Sequence, residues 1–274
     1  MKLQKMVMLL AVIFFLTTSA TETVAQAAYS GKVYEEMSRP ERLVFVGEQA
    51  RRIARELSGN EYEFTRDFEV DIQKAVTQYA QRIANPNGQR PLRPVLERGQ
   101  AQAPRLIATF RARNVSPLIG LYLPWVESEY VNIQSPNPMG AMGMFQFLPK
   151  TGERYGLSAQ ELLDVEKSAD AAARYITDSL ETFKGDPMKE ALALLAYNRG
   201  AHKTARDLKV LLNDQNKQCS ICALTADRSK LDETFRHENV FYVPRFFAAA
   251  IIGENPQAFG LQMRPLSSYE ATSN

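Results

Sequence analysis

Glu127 stands at the end of an apolar run, Leu121-Tyr-Leu-Pro-Trp-Val-Glu-Ser128. A carboxyl surrounded by Leu, Trp and Val is costly to ionise, so its pKa is expected to rise. An acid kept protonated near neutral pH can donate a proton to a glycosidic oxygen. The plainer reading of the same residue is a carboxylate at a helix end with its head in water. Glycosidases ordinarily use two carboxyl groups, one acid and one nucleophile or base. Here the near neighbour is Glu129, and residues two apart on a helix point away from each other. Asp164 and Glu166 fall in a polar turn. A single acid disfavours the two-carboxylate design and leaves room for assistance by the substrate itself.

The elements that must carry this acid read as helices. Ser116 suits an N-cap and Pro117 a first helical turn, so a helix from Pro117 delivers Glu127 at its C-terminal end, with a kink at Pro124. The helix dipole there disfavours negative charge, which acts in the same direction as burial. Upstream, Pro40 to Leu57 repeats its apolar positions at helical spacing and ends at Ser58-Gly59. Phe68, Ile72, Val76, Tyr79 and Ile83 mark a second helix, stopped by Asn85-Pro-Asn-Gly88. Gln89 to Pro94 reads as a loop and Pro104 to Arg113 as a short helix. The charges Arg51-Arg52 and Arg55-Glu56 read as a solvated face.

Tyr130 to Gly143 holds prolines, glycines and amides and reads as a loop, with a short hairpin possible near Ser135 to Met144. Further helices are expected at Thr151 to Tyr155, Ser168 to Lys184, Met188 to Tyr197 and Val243 to Gly253. The class is all-α or α-dominated.

Lys and Arg number 33 against 31 acidic side chains, a formal charge of +2, which gives no argument for nucleic-acid binding. Lys2 and Lys5 precede the apolar run Met6 to Leu16. Ala25-Gln-Ala27 then offers an A-x-A cut site, with Thr18-Ser-Ala20 as a second. This reads as a secretory signal peptide, an uncleaved membrane anchor being the alternative. Cys219 and Cys222 are the two cysteines, and in an exported protein a local disulfide is the leading reading. His202 and His237 flank them at distances unlike zinc-finger spacing, which leaves a structural zinc as the lesser reading. No metal or other cofactor is expected.

Four segments in order resemble the lytic transglycosylases, which share a fold with goose-type lysozyme. They are Glu127-Ser128; Gly140-Ala-Met-Gly-Met-Phe-Gln146 continuing to Leu157; Ala196-Tyr-Asn-Arg-Gly200; and Tyr242-Val-Pro-Arg-Phe-Phe-Ala-Ala249. The Gln-x-x-Pro-x-Thr-Gly-x-x-Tyr-Gly-Leu stretch and the late Tyr-Val-Pro look most like the membrane-bound murein transglycosylase D branch. The resemblance implies a lysozyme-like catalytic domain at 113–265. Before it would come a signal peptide at 1–27 and an N-terminal helical region at 28–112, and after it a tail at 266–274.

The resemblance also implies cleavage of peptidoglycan between MurNAc and GlcNAc, with Glu127 as acid and then base and a 1,6-anhydro sugar as product. Gln146, Tyr197, Asn198, Tyr242, Ser128 and Ser135 would line the sugar groove. Ser135 comes eight residues after Glu127, one short of the family's serine, and Gln146 nineteen after, one beyond. The loop between is therefore expected to be rearranged, with Asn137 as an alternative to Ser135. The partner expected is the glycan strand, not nucleic acid, and the protein is expected to be a monomer. A hydrolytic lysozyme on this fold and a non-catalytic wall-binding scaffold remain the competing functions.

Overall fold

Eleven α-helices and a set of short 3-10 turns make up the described residues, 31–211 and 217–270, of the computed structural model. The expected signal peptide lies outside them. Residues Val33–Asn274 cluster as one compact unit. The fold is all-α and lysozyme-like. In and beside the expected loop, where a short hairpin was the lesser option, the described residues hold two isolated bridges, Ile133 to Gly143 and Met142 to Phe147.

Helix α1 (Arg39–Ser58) opens on a capping box, Ser38 and Glu41 exchanging side-chain and backbone bonds, and stops at left-handed Gly59. Helix α2 (Arg66–Ala84) lies against it. That contact, and one to the end of the last helix, correct the solvated-face reading of Arg51 and Arg52. Arg51 reaches across to the buried carboxylate of Glu69 at 2.5 Å, and Arg52 to Glu56 at 2.7 Å and Asn255 at 3.4 Å.

Helix α3 (Arg93–Ala112) starts well before Pro104, where the expected short helix began. Val95, Leu96, Gly99, Ala103, Leu106, Ile107 and Phe110 form one buried stripe that runs straight through the proline. Burial along that stripe outweighs the one backbone bond that proline removes.

Helices α4 (Pro117–Ser128) and α11 (Tyr242–Glu254) are apolar nearly all round, which places them at the centre. Helix α11 packs against α1, α2 and α4, and α4 also lies along α3. Helix α4 continues without a break through Pro124, and Ser116 makes no side-chain cap, donating instead to the Glu56 carbonyl at 3.4 Å.

Around this centre lie α5 (Pro149–Arg154), α6 (Val165–Thr182), α7 (Lys189–Arg199) and α8 (Ala201–Leu211). Asp164 caps α6 by accepting from the Glu166 and Lys167 amides. Helices α9 (Ser220–Ala226) and α10 (Glu233–His237) complete the set. Sequence periodicity had missed α8, α9 and α10, of which α9 and α10 span only two turns or fewer. Residues 266–270, the described part of the expected tail, do not trail away. Leu266 is fully buried, and Ser267 donates to the buried Glu254 carboxyl at 2.5 Å and 3.1 Å. Among the described residues no helix is long and apolar enough to cross a membrane.

Candidate active site

Glu127 sits one residue before the end of α4, where the helix leaves the core and meets a surface cavity. Burial raises the pKa of its carboxyl from the ordinary 4.5 to about 7. Two neighbours oppose that rise: the Tyr242 hydroxyl, which donates to Oε1 of Glu127, and the positive charge of Arg245. No carboxylate is among the groups that act on it. Glu129 turns instead to Arg82 and Arg90, at 2.9 Å and 3.0 Å. The arrangement is therefore one acid poised near neutrality, while Glu129, which lines the same cavity, is neutralised by its arginine partners.

Tyr242 is the first residue of α11, so the two central helices meet through this hydroxyl. Its own pKa is driven well above the usual tyrosine value by burial and then by the Glu127 charge, so it remains a donor. Tyr197 is also pushed well upward, by burial first and Glu127 second. Its hydroxyl donates to the Phe145 carbonyl at 2.9 Å, not to Glu127, and its ring packs edge-on against Phe147 and Tyr175. Tyr197 thereby ties the end of α7 to the loop that carries Gln146.

That loop is held from several sides. Gly143 has φ +75°, and a Cβ there would stand 2.2 Å from the Leu162 carbonyl oxygen, so glycine is required. Ser128 donates its hydroxyl proton to the Met144 carbonyl at 2.7 Å and lies 3.3 Å from that of Pro124. Gln146 adopts φ 49°, donates to the Gly143 carbonyl at 2.8 Å and receives a long 3.5 Å bond from Asn137. Ser135 is exposed in the loop, and Asn137, not Ser135, is the residue that reaches Gln146.

Asn198 is exposed, and its side-chain oxygen accepts from Asn239 at 2.6 Å. Asn239 in turn accepts from the buried Arg199 at 2.9 Å, and Arg199 pairs with Asp207 and with both carboxylate oxygens of Asp232. A charged network between α7, α8 and α10 thus fixes the amide that faces the surface.

Two cavities meet at Gln78 and Arg245. The one of about 600 Å³ contains Glu127 and Ser128, with Tyr79, Arg82 and Arg90 along its wall. The other, of about 510 Å³, contains Asn198, His237 and Phe241. Gln146, Tyr197, Tyr242 and Ser135 line neither of the two. Sequence reading had named no site residue in the N-terminal helical region, yet α2 supplies Gln78, Tyr79 and Arg82 to the wall facing the acid. It had also passed over Arg245, although that residue stands three positions after Tyr242. No motif marks Gln78, Tyr79 or Arg82, and only the packing of α2 on α11 brings them in, whereas Arg245 lies inside the Tyr242-Val-Pro-Arg segment.

The Cys219–Cys222 disulfide begins α9, and Cys222 Sγ accepts from the Thr65 amide at 3.4 Å. Among the described residues no cluster of His, Cys, Asp and Glu could hold a metal ion.

A lysozyme-like helical frame with one part-buried, near-neutral acid opening on a groove defines the class of site. Residues 106–218 match the family model described as the transglycosylase SLT domain, a span that includes Glu127, Gln146, Tyr197 and Asn198. That similarity supports the lytic transglycosylase superfamily and peptidoglycan as the kind of substrate. No curated protein matches the chain.

Proposed function

We propose that this chain is an exported lytic transglycosylase, of the D-like branch, that cleaves the β-1,4 bond between MurNAc and GlcNAc with Glu127 alone as acid and base. The observation that carries the reading is the pKa of about 7 at Glu127 in a groove where no second carboxylate acts on it. Protonated Glu127 gives its proton to the bridging oxygen as the C1–O4 bond breaks. The N-acetyl carbonyl oxygen of MurNAc bonds to C1, forming an oxazolinium that carries the positive charge. Glu127, now a carboxylate, takes the proton from the C6 hydroxyl. O6 then attacks C1, the oxazolinium opens, and Glu127 is again protonated. No water is consumed, and the groove need only hold the C6 hydroxyl closer to C1 than solvent can come.

Tyr242 orients the carboxyl in both halves of the cycle. Asn198 and Gln146 supply amides of the type that N-acetyl groups bond. The glycan strand is the partner, and the N-terminal segment exports the chain to the periplasm or envelope with cleavage near Ala27.

The test is the product. Purified protein acting on peptidoglycan should release muropeptides lighter by about one water than hydrolysed ones, as intramolecular attack requires. Reducing ends alone would instead make the protein a lysozyme, and intact sacculi would make it a binding protein.

A further inference from the structure

The residues that follow the acid adopt backbone conformations that their side chains do not favour. Glu129 has φ 52° and Tyr130 φ 60°, consecutive left-handed residues without a glycine between them. Residues other than glycine disfavour this region because Cβ crowds the following carbonyl oxygen. The turn they make ends α4, the Glu129 amide closing on the Trp125 carbonyl at 3.0 Å and the Tyr130 amide on that of Pro124 at 3.2 Å.

Three arginines from the N-terminal helices and the loop between them converge on Glu129. Arg82 contacts both carboxylate oxygens, at 2.9 Å and 3.0 Å, and Arg90 contacts one of them at 3.0 Å. Arg98 donates to the Glu129 backbone carbonyl at 2.9 Å. Arg82 is itself held by a bond to the Arg90 carbonyl at 2.8 Å. One carboxylate does not need three cations for neutrality, and the bond from Arg98 grips the peptide itself. Tyr130 is secured alongside: its hydroxyl donates to the Leu121 carbonyl at 2.7 Å, and its ring lies so close to Gly99 that a Cβ there would stand 2.8 Å away.

We infer that Arg82, Arg98 and Glu129 form a clamp by which the N-terminal helices hold the left-handed turn after α4 and so aim Glu127 into the groove. Without the clamp, Glu129 relaxes to the right-handed region and α4 winds on. Ser128 then swings away from the Met144 carbonyl, and the loop bearing Gln146 loses its tie to the acid. Glu129, Arg82 and Arg98 are positioning residues, since none bonds to Glu127. The inference rests on the reading of Glu127 as the catalyst.

Glycine separates a clamp on the turn from a charge needed for its own sake, because glycine takes positive φ unaided. Turnover of sacculi by Glu129→Ala should fall at least about tenfold in kcat with KM within about twofold, a misaimed acid rather than weakened binding. Glu129→Gly should keep kcat within about threefold of wild type. Arg98→Met should lower kcat in the wild-type background and add no further loss in Glu129→Gly. That pair carries the comparison if Glu129→Ala does not fold.

Wild-type kcat in Glu129→Ala overturns the clamp, or in Arg98→Met where that pair stands in. So does a Glu129→Gly protein as slow as Glu129→Ala, which would show that the charge matters and the turn does not. Glu127→Gln is measured beside them. If it retains full turnover, the catalytic assignment fails; if it is inactive while Glu129→Ala is fully active, the clamp alone fails.

Discussion

The Tyr242 hydroxyl donates to Oε1 of Glu127 across 115 positions of sequence, joining the start of α11 to the end of α4. The bond favours the ionised acid, while the burial that makes it possible favours the neutral one. Burial is the larger effect, and the result is an acid that keeps its proton in about half the molecules at neutral pH and can still release it.

Tyr242→Phe removes the donor and leaves Glu127 to burial and Arg245. Its pKa should then rise above about 7. The alkaline limb of the kcat/KM profile should move to higher pH, and kcat should fall because the carboxyl loses its orienting partner. A pH–rate series on the variant checks both, and a limb that stays in place contradicts the assignment.

Arg245→Met tests the opposing charge. Arg245 lowers the Glu127 pKa, so its removal should also shift the alkaline limb upward, without disturbing the Tyr242 bond. Arg245 is exposed, and the fold should tolerate the change. A downward shift would show that the guanidinium does not act on this acid.

Glu127→Gln should abolish turnover by at least about a hundredfold, the usual worth of a positioned acid. It should also change stability in a pH-dependent way. Between pH 4.5 and about 7 the unfolded chain holds fewer protons than the folded one, so wild-type stability declines as pH rises through that window. At pH 8 the full penalty is about 3 kcal/mol. Thermal melts should therefore show the variant more stable than wild type at pH 8 and the advantage gone near pH 4. Equal melting temperatures at both would mean that Glu127 is not shifted.

Gly143→Ala places a methyl where the Leu162 carbonyl oxygen stands and forces alanine to a positive φ. A loss of stability of at least about 2 kcal/mol is expected, with falling activity as the Gln146 loop moves. A chemical-denaturation curve that matches wild type would show that the loop has room to adjust.

The helical class, the long amphipathic helices and the acid at the end of an apolar helix were legible in the chain, because burial periodicity and a charge among apolar neighbours are local signals. Boundaries were weaker where rules of local chemistry competed with burial. Pro104 reads as a helix start, but the apolar stripe beginning at Val95 overrides it. Leu266 and Ser267 read as the start of a tail, yet the core and Glu254 draw them in. Helices α9 and α10 were too short for their period to stand out, and α8, as long as α7, was passed over.

Sequence alone determined which carboxyl could be the acid and which motifs accompany it, since these depend on residue type and neighbouring chain. Tertiary structure decided what touches that acid: Tyr242 by a direct bond, Arg245 by its charge, and α2 by forming the opposite wall. It also decided that Ser128 and Tyr197 bind backbone carbonyls of the Gln146 loop rather than standing free. Those relations depend on helix packing between distant segments, and no spacing along the chain encodes which side chains such packing brings within bonding distance.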